Sequence, residues 1–248
     1  LKPADVWRYL GLEPGQVREE SPAERRKRQE AERREKARKL AFCSGLWRET
    51  VAAEGSPVEA YLRGRGITGP IPPTVRFHPA AALSYPWNAP EGGQVRTYPA
   101  MIAIATCEDG KSAAGLHVTA LAPDGSGKAP GLQNARRMFG DLGGAVVQLA
   151  PFPEGDALAV AEGIETALSY RDLSGAPTWA ALSTSGLRRF MPPRGVKLLI
   201  VAADSDDGGE GAEAAKACAE RASRRCDVAI QAAPAGMDWN DALKGKIQ

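Results

Sequence analysis

The stretch LLIVAADSDDGG, residues 198–209, runs an apolar segment directly into three carboxylates and two glycines. An apolar run without polar alternation is buried on both faces, as a strand inside a parallel sheet is. Its surroundings share the texture. ALAVAEGIETALSY from residue 157, TWAALSTSGLRRF from residue 178 and DVAIQAAPAG from residue 227 alternate short apolar runs with helical stretches, the pattern of βαβ units. Residues 151–248 are therefore expected to form one α/β unit, a Rossmann-like parallel sheet flanked by helices.

The strands of a parallel sheet all end on the same side, and ligands bind in the crevice beyond those ends. Glu162 closes the first strand of the unit, and Asp204 and Asp206 close another. If the two strands are neighbours, three carboxylates meet at one edge. Side chains two positions apart in an extended segment point the same way, so Asp204 and Asp206 share a face while Ser205 turns away. Clustered carboxylates raise one another's pKa unless a cation lies among them. Mg²⁺ or Mn²⁺, hard ions that take oxygen ligands and phosphates, suit such a set. No glycine fingerprint of a dinucleotide-binding fold precedes Glu162.

Ahead of this unit the chain changes character twice. In residues 1–40, KPADVWRYLGLEPG places Val6, Trp7 and Leu10 at helical spacing, and ERRKRQEAERREKARK, residues 24–39, holds nine basic and four acidic side chains. The second stretch reads as a long, exposed, charged helix serving as a linker. Residues 41–150 read as a mixed α+β subdomain. Leu40, Cys43, Leu46 and Trp47 form an apolar stripe that docks the end of the charged helix. SPVEAYLRGRGI opens another helix with Ser56 as cap, Pro57 in the first turn and Glu59 as the return partner of a capping box, and Gly64 or Gly66 ends it. A Pro-rich connector with short strands follows. Met101–Thr106 and Gly115–Leu121, with E-D-G and P-D-G turns beside them, then read as an antiparallel hairpin or meander.

The net charge of +2 averages opposites. Residues 62–140 carry eight Lys or Arg against four acids, whereas residues 154–213 carry ten acids against five bases. A polyanion would meet a basic region and an acidic pocket on one molecule, which is workable when divalent cations occupy the pocket. The four cysteines, Cys43, Cys107, Cys218 and Cys226, contain no C-x-x-C pair, and only His78 and His117 could supplement them. A zinc site within this chain is not expected, nor is a disulfide scaffold, and a reducing cytoplasmic setting fits. No apolar run reaches the roughly 18 residues of a membrane span.

AEGIETALS followed by VAADSDDGG resembles the Toprim domain of bacterial-type primases and topoisomerases, in which a Glu-Gly motif precedes a D-x-D motif. The resemblance extends over residues 40–245. WRETVAAEGSPVEAYLRGRGI, AMIAIATCEDGKSAAGLHVTALAPDGSGKA, ARRMFGDLGGAVVQL and GMDWNDAL are similar to segments of the Toprim primases of phages, plasmids and mobile elements. It implies a DNA primase catalytic core, a nucleotidyltransferase that makes short primers on single-stranded DNA. Glu162, Asp204 and Asp206 would hold the metal, with Glu162 either a ligand or a general base. Asp207 is an outer ligand or a helix-entry residue. Gly163, Asp238, Asn240 and Asp241 would stand around the site, Asp238 or Asn240 also serving to cap the last helix. Lys128, Arg136 and Arg137 would bind nucleotide or template, and since the arginines are adjacent only one faces the triphosphate. His117 joins this group or is a core histidine. Either Gly209 or Gly211 supplies the glycine that follows D-x-D.

The same carboxylates would serve a Toprim nuclease, which the primase-like stretch from Trp47 to Gly140 argues against, or survive in a non-catalytic DNA-binding accessory. A type IA topoisomerase needs further domains carrying a nucleophilic tyrosine. The resemblance also implies partners: single-stranded DNA, nucleoside triphosphates and a replicative helicase, with no membrane. Primases of this kind place a zinc-binding module ahead of the core, and LKPADVWRYLGL resembles the helix that follows it, so such a module is expected upstream of Leu1.

Overall fold

The computed structural model describes residues 20–89, 94–107, 110–151, 157–205 and 209–247. The chain divides into two compact units, Leu1–Arg38 and Lys39–Gln248. The helical stretch expected around Val6, Trp7 and Leu10 lies outside the described residues.

Within the first unit, residues 22–38 belong to helix α1, Pro22–Arg48. Its start is a reciprocal capping box. The Glu24 amide donates to Ser21 Oγ at 3.2 Å, and the Ser21 amide donates to Glu24 Oε2 at 2.9 Å. Arg28 bridges Glu20 and Glu32. Every side chain from Ser21 to Arg34 is exposed, so this stretch is held by propensity and by side-chain pairs worth about 0.2–0.5 kcal/mol each.

The second unit begins with the last turns of α1, where Cys43 and Leu46 are buried. Helix α2, Pro57–Gly64, starts at Ser56, whose Oγ accepts from the Val58 amide at 3.1 Å. Glu59 returns its bond one residue earlier than a capping box would, to the Gly55 amide at 2.7 Å. Four antiparallel strands follow: β1 Val75–Ala82, β2 Thr97–Thr106, β3 Ala113–Ala120 and β4 Arg136–Gly140, in that spatial order. The Pro-rich passage thus contains a full edge strand, β1. Pro79 is accommodated because the register with β2 shifts between His78 and Ala81, a bulge where no ladder donor is needed.

The second sheet has the order β5-β7-β6-β8-β9. It is built from β5 Val147–Gln148, β6 Ala157–Ala161, helix α3 Ile164–Ser174, β7 Thr178–Ala180, helix α4 Thr184–Arg189, β8 Leu198–Ala203, helix α5 Glu210–Ala222, β9 Asp227–Ala232 and helix α6 Trp239–Ile247. β5 pairs antiparallel with β7, and the other pairings are parallel. The apolar runs alternate sides. Leu158, Val160, Leu199 and Val201 pack against Leu187 of α4 and Ala214, Ala215 and Cys218 of α5. Ala159, Ala161 and Ala202 face Ile164 and Leu168 of α3 and Leu243 of α6, in a core continuous with Tyr61 and Leu62 of α2 and Met101 and Ala103 of β2. The two sheets therefore share one core across the α3 and α6 side. Each large side chain buried at this seam contributes roughly 1.5–3 kcal/mol.

A polar latch reinforces the seam. Asp172 Oδ2 accepts from the Thr68 and Gly69 amides at 2.9 and 2.8 Å. Arg171 both pairs with Asp172 at 2.8 Å and donates to the Pro70 carbonyl at 2.8 Å. A Cβ on Gly69 would stand 2.4 Å from Asp172 Oδ1 and 2.6 Å from Arg171 Nη2, so any larger residue here would have to displace the latch.

Candidate active site

The chain leaves β6 for β7 on one side and returns past it to β8 on the other, so the switch point of the second sheet lies between β6 and β8. A crevice opens at the carboxyl ends of strands at such a point. Glu162 follows β6 and Asp204 follows β8, with Ala161 and Ala202 in register. The two strands are neighbours, as the carboxylate argument requires.

Asp204 is held from two directions. Its Oδ2 accepts from Thr166 Oγ1 of α3 at 3.4 Å, and its Oδ1 accepts from the Trp239 amide at the start of α6 at 3.3 Å. Ser205 turns away, donating its hydroxyl to the Ala233 carbonyl at 2.7 Å. The Glu162 carbonyl accepts from the Leu182 amide at 2.7 Å. Leu182 adopts a left-handed backbone with φ of 71°, a conformation that costs a non-glycine residue about 1–3 kcal/mol and collects at functional sites. It aims the turn from β7 into α4, whose first amides are capped by Ser183 Oγ accepting from Gly186 N at 3.0 Å. Gly186 has no alternative, since its Cβ would lie 2.0 Å from the Ala181 carbonyl. At the start of α5, Gly209 is left-handed with φ of 66°, a conformation that glycine adopts without steric cost.

The same crevice is reached by Arg65 at the end of α2, Lys128 after the P-D-G turn and Arg136 at the start of β4. Together the walls enclose a cleft of about 500 Å³. Glu162, Asp204, Glu210 and Asp238 form its acidic wall, and Arg65, Lys128 and Arg136 form its basic wall. Beneath the cations lies Glu165, 5% exposed. It accepts from the Tyr61 hydroxyl at 2.8 Å, with Arg136 Nη2 at 3.7 Å. Burial pushes the Glu165 carboxyl up, but Arg136, a backbone amide, the Tyr61 hydroxyl and Lys128 outweigh it and hold the group at about 2. The same proximity acts on Lys128, whose pKa is pushed down by burial first and then by Arg136 and Arg65, with Glu165 opposing.

The structure gathers Glu162, Gly163, Asp204, Lys128, Arg136, Asp238 and Asn240 around this cleft. Asp206 and Asp207 lie outside the described residues. Arg137 does not line the cleft, and its Nη1 donates instead to the Asn134 and Arg136 carbonyls at 2.8 and 2.7 Å. Of the two adjacent arginines, Arg136 is the one at the site. His117, on β3, is buried at 4% exposure and is not among the lining residues. Burial drives its pKa down to about 4, the state of a neutral core imidazole. Asp238 caps α6 through Oδ1, which accepts from the Asp241 amide at 2.7 Å, and Asp241 is exposed. Asn240 is 2% exposed and faces α2 and α3.

Sequence reasoning missed Arg65 and Glu210, and it gave Glu165 no specific role. Arg65 belongs to an otherwise unremarked R-G-R-G helix end, 63 positions before Lys128, and no local spacing links it to the cleft. Among the described residues no group of three or more metal-ligating side chains is assembled. Glu162 and Asp204 nonetheless offer the all-oxygen donors that a hard divalent ion takes, at the strand ends that a third carboxylate, Asp206, follows.

The layout is a mixed antiparallel subdomain packed on a switch-point sheet, with acidic and basic side chains lining one cleft. Residues 157–247 match the Toprim domain family, and the chain carries a Toprim domain there. Residues 33–149 match a domain of unknown function, DUF7146. Solved structures share the fold over most of the chain. A DNA primase domain from Pseudomonas aeruginosa aligns with TM-score 0.55 at 15% identity, covering 84% of this chain and 74% of that one. A DnaG catalytic core gives 0.55 at 13% identity, with 85% and 76% covered. A DnaG primase catalytic domain bound to single-stranded DNA gives 0.57 at 13% identity, with 86% and 78% covered. The fold is that of primase catalytic cores. No curated protein sequence matches the chain.

Proposed function

We propose that this chain is the catalytic core of a DNA primase, joining nucleotides into short primers on single-stranded DNA. The observation that carries the reading is the cleft itself, which carboxylates at the β6 and β8 ends line together with three cations brought from the antiparallel subdomain. A nuclease acting on DNA with water needs the first wall. The second wall matches an additional anion, the triphosphate of an incoming nucleotide.

In primer synthesis a 3′-hydroxyl attacks the α-phosphate of a nucleoside triphosphate. The new O–P bond forms as the bond to the bridging oxygen breaks, pyrophosphate leaves, and the hydroxyl proton is lost. Glu162 and Asp204, with Asp206, would hold Mg²⁺ or Mn²⁺, which activates the hydroxyl and neutralises phosphate charge when bound. Asp204 is pre-oriented for this by Thr166 and the Trp239 amide, so its carboxylate pays little ordering cost on loading. Arg136 and Lys128 bind the triphosphate across the cleft and align it with the attacking oxygen. Glu165 holds Arg136 from below, which keeps a partly exposed guanidinium over the site. DNA as template, a helicase as partner and the mobile-element type of primase rest on the sequence resemblance.

The deciding experiment is primer synthesis on single-stranded DNA with labelled ribo- and deoxynucleotides and Mg²⁺ or Mn²⁺, alongside extension of an annealed primer. Metal-dependent incorporation that is lost in Glu162→Gln and Asp204→Asn is expected. Cleavage of the DNA with no incorporation would instead assign the site to a nuclease.

A further inference from the structure

Asn240 stands in a motif whose neighbours are acidic and close to the carboxylate wall, yet its side chain is spent elsewhere. Its Oδ1 accepts from Arg65 Nη1 at 3.1 Å. Its Nδ2 donates to the Arg65 carbonyl at 2.8 Å and to Ser169 Oγ of α3 at 3.0 Å. The amide thus uses its acceptor and both donors on two partners, at 2% exposure, and grips one residue by side chain and backbone at once. Arg65 is further fixed by its guanidinium carbon standing 5.1 Å from the Tyr61 ring centroid. Arg65 Nε is buried and has no acceptor. A guanidinium has five N–H donors in a rigid fork, so with Nε buried and one Nη1 hydrogen given to Asn240, the Nη groups still carry donors for a phosphate.

We propose that Asn240 is a positioning residue for the nucleotide triphosphate. It holds Arg65 on the cleft wall from the Toprim side, so that Arg65 makes a phosphate contact alongside Lys128 and Arg136. The inference rests on the primase reading and assigns to one residue of the Toprim unit a role in the basic wall rather than in the metal site. The choice of an amide has a physical reason. An ionised aspartate at this position would have no donor for the Arg65 carbonyl or Ser169, whereas the amide grips both the guanidinium and the backbone of Arg65.

The test is a double-mutant cycle on the whole chain with Arg65→Ala, Asn240→Ala and both together. Nucleoside triphosphate binding is titrated directly with a non-hydrolysable analogue, primer extension supplies KM and kcat, and melting is recorded for each variant. Each single substitution should raise KM about 5- to 10-fold with kcat within about 2-fold, the signature of lost ground-state binding. In the Arg65→Ala background, loss of Asn240 should cost almost nothing more, because the pair acts as a unit. Additive effects, or a kcat loss at constant KM, would overturn the assignment. Should Asn240→Ala fail to fold, Arg65→Lys decides, since it keeps the charge but has no fork to engage Asn240 and phosphate together. A lysine variant with wild-type KM rejects the proposal, and one as impaired as Arg65→Ala supports it. Wild-type protein that binds the analogue but extends no primer would fail the primase reading while leaving the Arg65 test intact. Normal extension with unchanged KM in these variants would fail only the positioning role.

Discussion

The two walls of the cleft are built by different means. On the acidic wall, Glu162 and Asp204 follow two adjacent parallel strands, so the topology that forms the sheet also brings the carboxylates together. On the basic wall, Arg65, Lys128 and Arg136 come from a helix end, a turn and an edge strand. Arg136 and Arg65 are held there by groups of the Toprim unit, Glu165 of α3 and Asn240 of α6 respectively. The acidic wall therefore depends on one sheet, while the basic wall depends on the seam between two. Damage to the first should remove chemistry, and damage to the second should weaken binding first.

The largest contrast is expected from Glu162→Gln and Asp204→Asn. Each should lower primer synthesis by at least about 100-fold, on the scale of lost metal support, while melting temperature without metal stays equal or rises because repelling carboxylates are neutralised. Wild-type synthesis in both would remove the acidic wall from the reaction.

Gly186→Ala tests whether the acidic wall also depends on its backbone. A Cβ 2.0 Å from the Ala181 carbonyl must displace the turn that carries Leu182, costing on the order of 1–3 kcal/mol as overpacking does. Chemical denaturation should show that loss together with reduced kcat, since Leu182 is bonded to the Glu162 carbonyl. An unchanged midpoint would mean that the turn relaxes freely.

Behind the basic wall, His117 is buried and its pKa is driven from 6.5 down to about 4 by that burial. Below pH 6.5 the unfolded chain binds the proton and the folded chain resists it. The stability contributed by the neutral imidazole is thus complete above pH 6.5 and is lost as pH falls toward 4. Melting at pH 7.5 and pH 5 should separate by more in wild type than in His117→Leu, by roughly 2 kcal/mol. Equal pH dependence would show that His117 is hydrated.

The finest comparison is within the basic wall. Arg136→Ala should raise KM for nucleotide about 10-fold, as loss of a charge-assisted contact does, while Arg137→Ala should change it less than about 2-fold because its guanidinium is engaged by local carbonyls. Both should reduce DNA affinity more at low salt than at high salt, through counterion release. Equal effects on KM would indicate that both arginines reach the triphosphate.

Much of the fold was legible because its signals are local. The apolar runs before Glu162 and Asp204 announced parallel strands, the D-G turns announced the β2–β3 meander, and Ser56-Pro57 marked the start of α2. Strand β4 was not legible. Its five residues carry two arginines and an exposed Met138, and it becomes a strand only because β3 supplies a ladder partner. The capping bond of Glu59 shifted to Gly55 for a similar reason, since the Ser56 amide is already taken by the Ala53 carbonyl.

By itself, the sequence determined which residues could be strands, that two of those strands end in carboxylates, and that a basic stretch precedes an acidic one. These properties follow from side-chain period and charge, which neighbouring residues along the chain define. Only the tertiary structure decided that β6 and β8 are adjacent across the switch point, that Arg136 rather than Arg137 enters the cleft, and that Asn240 serves Arg65. Those outcomes depend on which partners burial brings within hydrogen-bonding reach, and residues 65 and 240 meet only because the two sheets share one core.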